Sequence, residues 1–368
     1  MMQLTKPLKP IMFVGTASDV GKSVLATAFC RIFLQDGLAP APFKGQNMSL
    51  NSYATPEGHE IGRAQAVQAE AAGINCHTDM NPVLLKPTSD IGSQVILNGR
   101  VYGNMSAAAY FSAGNREVLF NEVKKAFHRL HSRYQPIVME GAGSTSELNL
   151  KALDITNLSI AIEASAATYL VADIDKGGVF ASLYGTISLL SPEEKACIKG
   201  LIINKFRGDP LLFAPGKKLI EELCEIPVVG IIPFYHDISI EEEDSVSLRN
   251  QAELAEGYEI HMGETSSSSH NPVNEFTDGS FDGYFLNNQC WGSYIHGILD
   301  NDSIIESIIG SILNGLRDQK TNNANQEVEK PIIPKQTYKQ FKNEQYDKLA
   351  AHIRQHIDIQ KIYLDLTN

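Results

Sequence analysis

The stretch "GTASDVGKS" (15–23) constrains this chain more than any other. It follows "PIMFVGT" (10–16), which reads as a buried strand, and it runs into "KSVLATAFCRIFLQD" (22–36), which reads as a helix. A glycine-rich loop in that setting presents backbone N–H groups at the helix start, where the helix dipole also favours negative charge. That is where a phosphate-binding loop belongs. Gly15, Thr16 and Gly21 would shape the cradle, Lys22 would reach the β- and γ-phosphates of ATP, and the Ser23 hydroxyl would ligate Mg²⁺. Counted back from Gly21, Gly15 lies one residue further than the common GxxxxGK[ST] spacing requires, and Thr16 takes the expected glycine position. A glycine-rich turn without a ligand is the alternative. Strand, loop, lysine, hydroxyl and helix together argue against it.

From residue 10 to about 235 apolar runs alternate with helical periodicity. "SQVILNG" (93–99), "PIVMEGAG" (136–143), "ATYLVADID" (167–175), "KGLIINKF" (199–206) and "IPVVGIIPF" (226–234) read as further strands. The ranges 59–73, 116–134, 178–190 and 211–224 read as helices. Strands that are apolar throughout and separated by helices predict an α/β fold, a parallel sheet with helices on both faces. Ligands of such sheets sit beyond the carboxyl ends of the strands. After 235 the texture changes to acidic and polar stretches, with a linker-like segment at 316–336 and a helix predicted over 337–357. The chain divides into 1–248 and 249–368, and the second part is too poor in apolar strands for an independent doubly wound domain.

A bound Mg²⁺ needs an acid from a neighbouring strand end. Glu140, followed by glycines, is the first candidate, and Asp173 and Asp175 are the next; strand-end carboxylates satisfied by loop amides are the alternative. Asn204 ends another strand, where its amide would read an adenine edge or merely form a turn. Net charge is −12, which argues against nucleic acid as a partner but not against small anions held locally. No apolar run is long enough to span a membrane, and the first ten residues lack a signal-peptide core. Five scattered cysteines suggest neither disulfides nor zinc, so a reducing cytoplasm is the expected home.

The GTxxxxGK[ST] form of the loop is similar to that of dethiobiotin synthetase and its relatives. Beyond it, "PFKGQNMSLNS" (42–52), "EIGRAQAVQAEAAG" (60–73), "DMNPVLLKPTSDIGSQVILNG" (79–99), "EGAGSTSELNL" (140–150), "DIDKGGVFASLYGT" (173–186) and "INKFRGD" (203–209) closely resemble the cobyric acid synthase family. The resemblance runs in order from residue 10 to about 248 and resumes from 257 to the end, through "GYEIHMG", "GSYIHGILDN" and "FKNEQYDKLAAHIR". The "QNMS" and "DMNPVLLKP" stretches separate it from the related cobyrinic acid a,c-diamide synthase family.

The resemblance implies a P-loop NTPase-type synthetase domain at 1–248 and ATP- and glutamine-dependent amidation in vitamin B12 synthesis. The family's substrate is a corrinoid polycarboxylate, an adenosylcobyrinic acid diamide amidated at positions b, d, e and g. Lys22 and Glu140 would serve the phosphoryl chemistry, with Ser23 and Glu140 on Mg²⁺. Lys44, Gln46, Asn47, Arg63, Lys86, Asp175 and Lys176 lie in the family-like loops and would face the corrinoid, with Arg100 and Arg207 as further candidates; any one of these cations alone reads more readily as a solvated surface charge. A homo-oligomer is left open.

The family's second domain is a class I glutamine amidotransferase, which makes ammonia by thiolate attack with histidine as base. Its nucleophile sits in a tight turn resembling GxCGGYQ. Here the family pattern stops at Leu248 and resumes at Gly257, with only "RNQAELAE" between them. Most of the glutaminase sheet, with its cysteine turn, belongs in that gap, so 249–368 reads as a truncated remnant. Cys30, Cys76, Cys197, Cys224 and Cys290 lack a glycine elbow and read as incidental thiols. His296 matches the catalytic base and His261 the "YEIHMG" histidine. Three readings follow: an amidating synthetase supplied with free ammonia, an inactive remnant that binds nucleotide or corrinoid, and a P-loop partitioning or regulatory ATPase. The last class usually carries an additional lysine early in the loop, where this chain has Gly15, Thr16 and Ala17.

Overall fold

The computed structural model describes residues 8–89, 92–235, 258–259, 272–275, 279–287, 290–296, 298, 301, 304 and 338–367. It contains two compact units, one of residues 1–238 with 346–368 and one of residues 239–345.

In the first unit β1 (Ile11–Gly15) leads through the phosphate loop into α1 (Lys22–Gln35). Then come β2 (Ala41–Phe43), β3 (Gln46–Met48), β4 (Ser52–Ala54), β5 (Glu60–Gly62) and α2 (Arg63–Ala71). β6 (Val83–Ser89), β7 (Gly92–Leu97) and β8 (Arg100–Ser106) precede α3 (Ala107–Tyr110) and α4 (Ala113–His131). β9 (Ile137–Glu140), α5 (Leu158–Glu163), β10 (Ala167–Asp173), α6 (Val179–Leu189) and α7 (Pro192–Cys197) follow. β11 (Ile198–Phe206), α8 (Ala214–Cys224) and β12 (Val228–Pro233) complete the series, and α9 (Tyr338–His356) and α10 (Ile359–Thr367) end the chain.

The main sheet has six strands in the order β12-β11-β10-β1-β9-β2, all parallel. From β1 the chain runs out to the edge at β2, returns to β9, and then crosses to β10 on the other side of β1. That reversal opens a crevice at the carboxyl ends of β1, β9 and β10. Both faces of β1 are buried. Met12 and Val14 join one core cluster, whereas Ile11 and Phe13 join the other with Leu25, Phe29 and Ile32 of α1. A fully buried Leu, Ile or Phe contributes about 1.5–3 kcal/mol, so this two-sided burial anchors the strand that carries the loop.

Three elements differ from the sequence reading. The predicted strand at 93–99 is β7, and it is not part of the parallel sheet. It pairs antiparallel with β6 and β8 in a four-stranded sheet. The reason is local: Asn98 and Gly99 both take positive φ, 49° and 78°, and a two-residue turn of that kind forces neighbouring strands to run antiparallel. The stretch 59–73 begins as β5, paired with β4, before α2 starts at Arg63. From Tyr346 onward the C-terminal helices, grouped by sequence with 249–368, belong to the first unit. Tyr346, Leu349, Ala350 and Ile353 of α9 and Ile362 and Leu366 of α10 share a core cluster with Phe33 of α1. Asp36 at the end of α1 accepts hydrogen bonds from Arg354 and from Tyr363, both at 2.6 Å.

In the second unit β13 (Tyr258–Glu259) pairs antiparallel with β18 (Ile295–His296). β14 (Asn274–Glu275) pairs with β15 (Phe281–Asp282), and β16 (Tyr284–Asn287) with β17 (Cys290–Gly292). Among its described residues every strand pairing is antiparallel and two-stranded.

Candidate functional site

The phosphate loop leaves β1 at Gly15 and is tied to β10 and to the loop that follows β9. Thr16 N donates to Val171 O at 3.0 Å, and Thr145 N donates to Gly15 O at 3.0 Å. Gly21 is the N-cap of α1 at φ 101°, and the helix has no side-chain cap. Its first N–H groups are therefore left for a ligand. A Cβ at Gly21 would fall 2.1 Å from Asn204 Nδ2, so only glycine fits.

Lys22 is buried, and its Nζ donates to Ala17 O and Gly143 O, both at 2.9 Å. Burial lowers its pKa to about 8, opposed by the charge of Glu140 and helped by that of Lys44. Glu140, at the end of β9, is 2% exposed. Its Oε1 accepts from Ser23 Oγ at 2.8 Å and from Lys44 Nζ at 2.6 Å, and its Oε2 accepts from Gln68 Nε2 at 2.8 Å. Burial opposes its ionisation, but the charge of Lys44 and the bonds from Lys44, Gln68 and Ser23 outweigh that and hold the carboxyl below its ordinary value. Sequence reasoning brought Lys22, Ser23 and Glu140 together, and so does the fold.

Ser23 Oγ and Glu140 Oε1 are 2.8 Å apart. Adjacent corners of an octahedral Mg²⁺ shell, with bonds of 2.0–2.1 Å, are about 2.9 Å apart. The spacing would suit the ion if the serine hydroxyl turned the proton it now donates to Glu140 away.

The other side of the loop is built differently. Asp173 is buried at the end of β10 and accepts from Lys205 Nζ at 2.9 Å and from Asp175 N at 2.9 Å. Lys205 also donates to Asp19 O in the loop, at 2.8 Å. Asp175 pairs with Arg207 at 2.6 Å, and the hydrogen bond and charge of Arg207 hold its carboxyl below the usual range. Asn204, expected to read an adenine edge or form a turn, donates to Val20 O at 2.8 Å and braces the loop.

Apart from Lys176, the residues expected to face a corrinoid have partners of their own in this structure. Lys44 is spent on Glu140. Gln46 Oε1 accepts from Tyr110 OH at 2.6 Å and from Arg116 at 3.0 Å. Asn47 is buried, donating to Gln65 Oε1 at 3.1 Å. Lys86 pairs with Glu60, Arg63 lies over the Tyr53 ring at 5.1 Å, and Arg100 bonds to His59 at 3.2 Å. Lys176 is exposed and has no charged partner among the described residues. Gln68 was missed by sequence. Its only signal was a second glutamine three residues after Gln65 on an alanine-rich helix, and that pattern alone does not name a partner.

The cysteine thiols of the first unit are unsuited to attack. Burial raises the pKa of all four, Cys76 to about 11. His296 lies in β18 opposite Tyr258, its side chain outside the described residues, as is all of His261.

This geometry defines a P-loop nucleotide-binding protein. Residues 11–248 match the CobQ/CobB/MinD/ParA nucleotide binding domain, and residues 216–304 match the CobB/CobQ-like glutamine amidotransferase domain. Cobyric acid synthase of Bacteroides fragilis is 42% identical over 508 aligned positions, covering 99% of this chain and 100% of that protein. Cobyric acid synthase of Syntrophobacter fumaroxidans is 55% identical over 248 residues, covering 67% of this chain and 48% of that protein. The signal recognition particle receptor FtsY of Elizabethkingia anophelis, solved with GDP, is 16% identical at a TM-score of 0.35, covering 63% of this chain and 59% of that one. The chain belongs to the cobyric acid synthase family, a family of ATP-dependent amidating enzymes. At 368 residues it is shorter than the alignment with its Bacteroides relative.

Proposed function

We propose that this chain carries out the cobyric acid synthase reaction with ammonia in place of glutamine. The substrate would be adenosylcobyrinic acid a,c-diamide, amidated on its b, d, e and g carboxylates, and the setting the cytoplasm. The observation that carries the proposal is the convergence of Lys22, Ser23 and Glu140 at the crevice where the sheet reverses direction. A carboxylate is a poor electrophile. Transfer of the γ-phosphoryl group of ATP to it gives an acyl phosphate; ammonia then attacks the carbonyl carbon and phosphate leaves. Positioning and charge neutralisation dominate such phosphoryl transfer.

Lys22 would exchange its two carbonyl partners for the β- and γ-phosphate oxygens, whose charge restores its full protonation. The uncapped N–H groups of α1 would hold the other phosphate oxygens. Mg²⁺, held by Ser23 and Glu140, would neutralise charge across the phosphates. On the corrinoid side, Lys176 is the exposed cation ready to pair with a propionate, whereas Lys86 would first have to leave Glu60. Lys44, Gln46, Asn47 and Arg63 would shape the loops behind them, and Asp175 would hold Arg207 in place.

Residues 1–248 would be the synthetase domain, with Tyr346–Asn368 packed in the same unit, and the residues between them an incomplete amidotransferase-like region. Splitting glutamine needs an activated thiolate beside a base and an oxyanion site. Only "RNQAELAE" stands between Leu248 and Gly257, where the family's cysteine turn belongs, and that supports ammonia as the nitrogen source. The test supplies the corrinoid diamide with ATP and Mg²⁺, plus either glutamine or ammonium at raised pH. Amide product from ammonium alone is expected. Product from glutamine that a thiol-alkylating reagent abolishes would overturn the nitrogen assignment and point first to Cys290. No product from either source would favour a remnant that binds nucleotide or corrinoid without turnover.

A further inference from the structure

Gln68 lies on α2, fully buried, and touches the carboxylate at the centre of the site. Its Nε2 donates to Glu140 Oε2 at 2.8 Å. An ionised carboxylate only accepts hydrogen bonds, so the amide nitrogen has to face Glu140. The cost of that orientation is visible: Gln68 Oε1 is buried without a hydrogen-bond partner among the described residues.

The terminal torsion of a glutamate is broad and has no sharp minimum of its own. Ser23 and Lys44 both bind Oε1, so they fix one oxygen and leave rotation of the group about it. The bond from Gln68 to Oε2 removes that freedom. We infer that Gln68 is a positioning residue: it locks the rotation of the Glu140 carboxylate so that Oε1 stays turned toward Ser23 and the two oxygens hold a divalent cation beside the phosphate loop. This rests on the reading of Ser23 and Glu140 as the cation-holding pair.

Gln65 provides an internal control. It lies three residues earlier on the same helix, is equally buried, and also has one unpartnered amide atom, Nε2. Its Oε1 accepts from Asn47 at 3.1 Å, and it makes no hydrogen bond to Glu140. Removing either amide disturbs the packing of α2 alike, but only one removal frees the carboxylate.

The experiment measures Mn²⁺ binding to the full chain with saturating ADP by electron paramagnetic resonance of the free ion. Gln68→Leu should weaken Mn²⁺ binding about tenfold or more, as expected for losing a hydrogen bond to a charged group. Its affinity for ADP without metal should be unchanged. Gln65→Leu should bind Mn²⁺ as the unaltered protein does. If Gln68→Leu does not fold, Gln68→Met, of similar length, serves in its place. Unchanged Mn²⁺ affinity in the Gln68 variant would overturn the inference. An equal loss in both glutamine variants would also do so, because the effect would then belong to helix packing. If the unaltered protein binds no Mn²⁺ with ADP, the cation reading and this inference fall together. If Mn²⁺ binds and responds as expected but no corrinoid is amidated, the proposed function falls alone.

Discussion

The two flanks of the phosphate loop solve the same problem in different ways. On the β9 side, Glu140 is 2% exposed, and Lys44, Ser23 and Gln68 occupy its oxygens. On the β10 and β11 side, Asp175 and Arg207 meet with side chains 35% and 51% exposed, while Asp173 is buried and takes Lys205. A carboxylate taken out of water must be supplied with a full set of partners, or it costs more than the fold can bear. One at the surface is solvated whatever its neighbour does. The buried flank is therefore where geometry is enforced. The exposed flank is free to exchange its partners for a ligand.

Four variants or conditions bear on that contrast. The largest effect is expected from Lys22→Ala, which removes the loop's own buried cation. Phosphate release from ATP should fall by about 100-fold or more, because charge developing on the γ-phosphate loses its main partner. Unchanged release would detach the loop from the chemistry altogether.

Glu140→Gln comes next. The amide keeps the shape but leaves the Lys44 ammonium buried without a counter-charge. Breaking a buried pair in this way costs about 3–5 kcal/mol, so the melting midpoint should drop clearly. Turnover should suffer much more than metal-free nucleotide binding. An equal loss of both would assign Glu140 a structural role.

The third expectation concerns pH. Burial holds Lys22 near a pKa of about 8, below the ordinary lysine value. It binds phosphate as the ammonium, so metal-free ADP affinity should be flat below about pH 8 and weaken as pH rises through it. The limiting slope is about tenfold per pH unit for one proton. A profile flat up to pH 10, or the same profile in Lys22→Ala, would remove Lys22 as the titrating group.

The smallest effect belongs to the exposed flank. Arg207→Ala loses the Asp175 pair and the contact over the Phe234 ring at 3.9 Å. Both groups remain in reach of water, so the melting midpoint should stay essentially where it is. A drop as large as that of Glu140→Gln would erase the contrast between the two flanks.

Much of this was legible before the fold. The strand, loop and helix around residues 15–23 are local signals, set by the period of apolar residues and by glycine. Glu140 was legible because a strand rich in buried residues ends there. The Asn98–Gly99 turn, which sets β7 antiparallel, stood in the sequence, but the strand reading of 93–99 ran straight through it. Lys44, Asn47, Asp175 and Arg207 were legible as members of family-like loops, but not as partners within the protein.

What the sequence determined by itself was the phosphate loop, the alternation of strand and helix, and the polar residues delivered to the strand ends. Only tertiary structure decided that Lys44 and Gln68 close on Glu140, that Asn204 braces the loop, and that α9 and α10 cover α1. Those contacts join residues far apart in the chain: Lys44 is 96 positions from Glu140, and Arg354 is 318 from Asp36. Periodicity reports which face of an element is buried. It does not report what lies opposite, because the order of strands in the sheet sets that, and a parallel sheet places non-consecutive strands side by side.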